Sequence, residues 1–152
     1  MKYTSTKLTL LLTLILLIVA VLMGWGIFRK SQIDDASQQL AITTTQTIFS
    51  TANAQFLIDN AHKSYSREMS EEAFNGYIAF ILRTLGPLAA ITAITGSTDM
   101  SANPLNQKSA QANYELDLTF SNSSTTVLIS MIYEQDKWQF ESYTVQAQLL
   151  QE

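Results

Sequence analysis

One histidine, His62, and no cysteine in 152 residues restrict the chemistry this chain can carry. As a general base His62 needs a nucleophile and a carboxylate around it, and Asp59, three residues upstream, is the carboxylate within local reach. The plainer reading is a surface histidine on a helix beside Lys63. Without thiolates, disulfides, thiolate metal sites and cysteine nucleophiles fall away together, and a lone imidazole is too little for a metal centre. Carboxylates are more plentiful. Glu115 and Asp117 share one face of an alternating stretch, with Glu134, Asp136 and Glu141 on neighbouring strands, and such groups suit calcium binding or paired acid and base work. Alternation predicts first that this face is simply solvated. Arg83 is the only charge between Glu72 and Asp99, so it either points an anion-binding group inward or sits at the solvent edge against the last carbonyls of a helix. Trp138, Phe140 and Tyr143, with Tyr77 from a preceding helix, are candidates to line a pocket or an interface, although aromatics in a terminal hairpin more often belong to the core. No catalytic residue, cofactor site or metal site is assigned.

The elements that must position these residues follow from periodicity. Ser70 with Glu71 and Glu72 marks a helix start: a side chain that caps orphan amides, then two carboxylates where the helix dipole favours them. Phe74, Tyr77, Ile78, Ile81, Leu82 and Leu85 continue as a helical stripe, and Gly86-Pro87 stops it. Residues 31–66 read as an earlier helix, with Ile42, Phe49 and Phe56 at seven-residue spacing and Ala52, Leu57 and Ala61 on the same side. The Thr43-Thr44-Thr45 run weakens that helix and leaves a strand or a break open there. After Pro87 the texture changes to strands. Leu88 to Thr95 ends at Gly96, and Ser97 to Asn113 is a polar loop. Tyr114, Leu116, Leu118 and Phe120 then alternate with Glu115, Asp117 and Thr119. Thr126 to Glu134 is apolar on both faces and therefore central, and Gln135-Asp136-Lys137 turns into Trp138 to Val145.

At the N-terminus, Leu8 to Phe28 is 21 residues without a charge. As a helix it reaches about 31 Å, close to the roughly 30 Å of a bilayer's hydrocarbon. The sequence therefore predicts a transmembrane helix over residues 8–28, preceded by a cytoplasmic tail, residues 1–7. Residues 29–66 form a helical linker and first helix, residues 67–146 the α+β domain and residues 147–152 a tail. A cleaved signal peptide is the competing reading, with Gly24-Trp25-Gly26 as the one small-x-small site, but its apolar core is normally shorter. The basic residues Lys2 and Lys7 with the terminal amine, against Arg29 and Lys30, slightly favour an inner-membrane protein with its N-terminus in the cytoplasm and its C-terminal domain exported to the periplasm. From Ser31 onward five basic residues meet thirteen acidic ones, a net charge of −8 that argues against nucleic-acid binding. The predicted class is α+β: an N-terminal transmembrane helix, then helices on a curved antiparallel four-stranded sheet, a half-open cone.

Several of these motifs together resemble a known family. Ser70-Glu71-Glu72-Ala73-Phe74, Arg83-Thr84-Leu85-Gly86-Pro87-Leu88, the strand opening on Tyr114, and Asp136-Lys137-Trp138-Gln139-Phe140-Glu141-Ser142-Tyr143 resemble a bacterial domain-of-unknown-function family. Its members look like small exported cystatin-like or nuclear-transport-factor-2-like folds. The resemblance runs from about Ile58 to Val145 and departs at Asp136, where such hairpins usually carry glycine. A fainter similarity is to membrane-anchored cytochrome oxidase assembly factors. Neither supplies a catalytic residue or a cofactor. The expected function is a single-pass, membrane-anchored accessory protein of the cell envelope that works through protein contacts and is not an enzyme. The alternative is small-molecule or lipid binding in the cone between helix and sheet.

Overall fold

The computed structural model describes residues 3–65, 70–100 and 110–146. Helix α1 runs from Tyr3 to Thr51, α2 from Gln55 to Asp59 and α3 from Glu71 to Leu85. Four strands follow: β1 (Leu88–Met100), β2 (Ala110–Phe120), β3 (Ser124–Glu134) and β4 (Lys137–Gln146). They pair antiparallel in sequence order, so the α+β class with a four-stranded antiparallel sheet is as expected. The chain divides into two compact units, Met1–Asp35 and Ala36–Glu152.

In the second unit one sheet face does the packing. Register aligns Ile94, Leu116, Val127 and Val145 in one row across the strands, and Gly96, Tyr114, Ile129 and Tyr143 in the next. From β2 to β4 these residues are buried, because alternate side chains of a strand share a face. The C-terminal part of α1 lies on this face: Phe49 meets Phe120 edge-on at 5.1 Å, and Tyr143 donates its hydroxyl to Thr45 at 3.1 Å. Helix α3 adds Phe74, Ile78 and Ile81, with Phe74 6.1 Å from the Tyr143 ring. Its ends are as the sequence predicts. Ser70 Oγ accepts from the Ala73 amide at 3.2 Å, and Gly86 takes φ 83° as its amide reaches the Leu82 carbonyl. The positive φ requires glycine at position 86, and a Cβ there would also have to displace the Ser121 hydroxyl.

Four expectations need correction. Among the described residues no helix is long and apolar enough to cross a membrane, so the transmembrane helix predicted over residues 8–28 is not supported. The apolar block is not an element of its own: it is the opening of a 49-residue helix that continues through Arg29, Lys30, Asp34 and Asp35. Its described side chains, Thr13 to Leu22, cover about 15 Å of helix, half of a bilayer core. Second, α1 passes through Thr43-Thr44-Thr45 unbroken and stops at Thr51, where Ala52 takes φ 52°. Its buried stripe is Ser37, Ala41, Thr44, Thr45, Ile48 and Phe49, and Ile42 is only half-buried. Third, Gly96 does not end β1. It sits inside the strand at φ 137°, so close to the Asn113 carbonyl and the Tyr114 ring that a Cβ would collide with both. The glycine read as a stop is a point of close approach, and pairing continues to Met100 opposite Ala110. Fourth, Tyr77 belongs to the margin of the α3 stripe and is 37% exposed. Most of the loop expected after Gly96, residues 101–109, and the tail, residues 147–152, lie outside the described residues.

Candidate functional site

His62 does acquire partners, though not the expected one. The stretch Asn60 to His62 lies along the outer edge of β4, where Phe140 donates its amide to the Asn60 carbonyl at 2.9 Å and accepts from the His62 amide at 2.8 Å. This puts His62 Nε2 3.7 Å from Glu134 Oε2 and Nδ1 2.7 Å from Ser64 Oγ. Asp59 instead accepts from Gln55 Nε2 at 2.7 Å. Serine, histidine and carboxylate thus adjoin in the order of a nucleophile, base and orienting acid. The surroundings differ from those of a hydrolase. Ser64 also directs its amide to Nδ1 at 3.4 Å, which makes the histidine the closing group of an exposed turn. Ser64 and Lys63 face solvent, and Glu134 is 45% exposed.

The other carboxylates are scattered: Glu115 and Asp117 lie on the solvated face of β2, Asp136 sits in the turn between β3 and β4, and Glu141 is half-buried on β4. Glu115 is exposed and Asp117 accepts from Thr126 Oγ1 at 3.0 Å. Among the described residues no three acidic or imidazole groups converge closely enough to hold a metal ion. Arg83 is exposed in the last turn of α3 and points no charge into the interior.

The aromatic candidates come together as core. Phe140 is fully buried, Trp138 is 6% exposed against the Tyr133 ring, and Tyr143 packs between Phe74 and Phe140. Tyr77 closes the edge by donating its hydroxyl to the Val145 carbonyl at 3.0 Å, and Tyr65 does the same to the Tyr143 carbonyl at 3.2 Å. Burial pushes proton loss from Tyr143 far above the usual tyrosine range and that of Tyr65 and Tyr77 upward in the same direction. Two grooves open on this unit away from Trp138. One of about 360 Å³ lies on the outer face of the sheet by Thr95, Gly96 and Glu115, and one of about 320 Å³ runs between Phe49 and the start of β1.

A buried polar cluster escaped the sequence reading. Ser37 Oγ stands 2.7 Å from the Tyr114 hydroxyl and 3.2 Å from Thr98 Oγ1, tying α1 to β1 and β2. The sequence places Ser37 within the helical segment 31–66 but off its apolar stripe, and Thr98 in the polar loop. The signal available was the spacing of Ser37, Ala41, Thr44, Thr45 and Ile48, a helical stripe of small side chains rather than large ones.

The most exposed apolar surface belongs to the first unit. Thr13 to Leu22 are all exposed, and the eight large aliphatic residues among them range from 46% at Val19 to 67% at Leu22. No family model, curated protein or solved structure matches this chain. The resemblance drawn on the Gly86 turn and the Trp138 hairpin therefore transfers no residue role.

Proposed function

We propose that the chain is a membrane-attached binding protein, held at a lipid surface by the apolar opening of α1 and acting through protein contacts made by its α+β unit. The observation that carries this reading is the exposure of Thr13 to Leu22 on every side of the helix. A helix with an apolar stripe seeks one neighbour, whereas a helix apolar all round needs an apolar medium. Soluble chains rarely leave so large an apolar surface in water. The acidic remainder, −8 from Ser31 onward, favours a partner with basic groups and disfavours nucleic acid.

Flotation of the full chain with phospholipid vesicles tests this. The chain rises with the vesicles, and replacing Leu16 and Val19 by lysine releases it. Burial of each large aliphatic side chain contributes roughly 1.5–3 kcal/mol, so losing two lowers partitioning on the order of 100-fold or more. A chain that stays monodisperse in the vesicle-free fraction would overturn the proposal. So would floating that is indifferent to the two lysines.

A further inference from the structure

We infer that the solvent face of α3 is a self-association surface on which a second copy of the chain packs its own α3 antiparallel. This does not rest on membrane attachment. Opposite the buried residues Phe74, Ile78 and Ile81, the positions Glu72, Gly76, Ala79 and Arg83 follow at i, i+4, i+7 and i+11, all exposed, with Ala73 and Phe80 beside them. Phe80 is 53% exposed, a large apolar side chain on the face that should be polar.

Gly76 is the second observation. A Cβ placed on it meets nothing within 4 Å, and its helical backbone needs no glycine. Glycine inside a helix is unfavourable relative to alanine, so within one copy of the chain this residue has a cost and no return. Close approach of another helix supplies the return. The third observation is charge. Glu72 in the first turn and Arg83 in the last are about 16 Å apart along the axis, and neither is in an ion pair among the described residues. A two-fold axis midway between them brings each Glu72 to the Arg83 of the other copy. The same operation sets each Ala79 opposite the other copy's Gly76, where the backbones can approach closely, with each Phe80 one position further along the seam. One surface is thus complementary to itself in shape and in charge, as a two-fold interface requires. A parallel pairing would set Glu72 on Glu72 and Arg83 on Arg83.

A pair of 15-residue helices buries less than the roughly 1,200 Å² of a stable interface, so the association is weak and concentration-dependent. The absence of cysteine makes the test clean. In the full chain, kept in mild detergent, Glu72→Cys and Arg83→Cys variants mixed together form a cross-linked dimer on oxidation, while each variant alone gives at most a tenth of that yield. In a second measurement Gly76→Leu lowers self-association at least ten-fold by analytical ultracentrifugation and leaves the melting temperature unchanged or raised. Equal cross-linking of Glu72→Cys alone would overturn the antiparallel pairing. Absence of cross-linking in the mixture of folded variants, or undiminished association of Gly76→Leu, would overturn the surface itself.

Discussion

Two stretches of one helix invert the usual rule of polarity. From Thr13 to Leu22 the side chains are almost all aliphatic and all exposed, whereas further along α1 the fully buried residues are Ser37, Ala41, Thr44, Thr45 and Ile48. The second stretch is buried because its residues are small and present one stripe, letting the helix lie close on a sheet that already supplies the bulk with Phe120, Phe140 and Tyr143. The first has no polar side to turn outward. What a residue faces follows from the periodicity of its whole segment and the volume left by its neighbours, and only then from its own polarity.

The sharpest way to break this contrast is to truncate one large apolar side chain in the buried core and one on the exposed stretch. Phe140 is fully buried, with the Tyr143 ring 6.5 Å away and its backbone bonded to Asn60 and His62, and Phe140→Ala is expected to cost about 3–5 kcal/mol by transfer loss plus cavity. Leu17, 64% exposed, should cost the α+β unit less than about 0.5 kcal/mol when changed to alanine. Urea unfolding followed by tryptophan fluorescence measures both. Similar losses from the two changes would mean that the division at Asp35 does not separate their energetics.

A second comparison lies within the buried hydroxyls. Ser37 is bonded to Tyr114 and Thr98, while the Thr44 hydroxyl is buried with no hydrogen-bond partner among the described residues. Ser37→Ala should therefore lower stability by about 1–2 kcal/mol, and Thr44→Val, which keeps the shape and removes an unpaired polar atom, should be neutral or raise it by about 1 kcal/mol. The sign difference is the test, read from the same unfolding curves. A loss at Thr44 equal to that at Ser37 would mean that both hydroxyls are hydrogen-bonded.

Much of this fold was legible because local chemistry and tertiary packing agree. Ser70 and Gly86 bound α3 as their backbone chemistry demands, and the alternation from Tyr114 to Phe120 became the buried and solvated faces of β2. The final hairpin formed although Gln135 and Asp136 must both adopt positive φ, at 52° and 61°, without a glycine. What stayed hidden depends on residues far apart in the chain. Nothing near Ser37 announces Tyr114, and nothing near His62 announces Phe140 or Glu134. Gly96 reads in sequence as a strand end because a glycine that ends a strand and one that admits a neighbouring ring look alike until the partner is known. For the candidate site, the sequence offered the aromatic residues of the last hairpin as pocket candidates while favouring core packing for them, and they are buried. Trp138, Phe140 and Tyr143 converge as packing, while Arg83 and Tyr77 lie on the solvent face and margin of α3.

Tyr143 gives the buried polar stretch a pH dependence. Its hydroxyl is held by Thr45 in the core, and burial keeps its proton on well above the pH where an exposed tyrosine loses it. The unfolded chain releases that proton near pH ~10, so above this the folded state binds more protons and stability falls as pH rises. The limiting slope is about 1.4 kcal/mol per pH unit for each such tyrosine. Tyr143→Phe should lower stability at pH 7 by about 1 kcal/mol through the lost hydrogen bond and remove one tyrosine's share of the alkaline slope. Urea unfolding repeated from pH 8 to 12 reads both effects. A slope unchanged by Tyr143→Phe would mean that this hydroxyl ionises in the folded chain as readily as in the unfolded one.

The smallest effect belongs to the one ion pair that looked most like chemistry. His62 and Glu134 stand 3.7 Å apart with side chains 26% and 45% exposed, so solvent screens their attraction. The segment is already fixed on β4 by two backbone bonds to Phe140. Glu134→Gln should therefore change stability by less than about 0.5 kcal/mol, and the difference should vanish near 1 M salt. A larger, salt-resistant loss would show that the carboxylate, rather than the backbone bonds, orders the turn. The serine, histidine and glutamate would then form a built constellation, and Ser64 would deserve testing with an acylating probe.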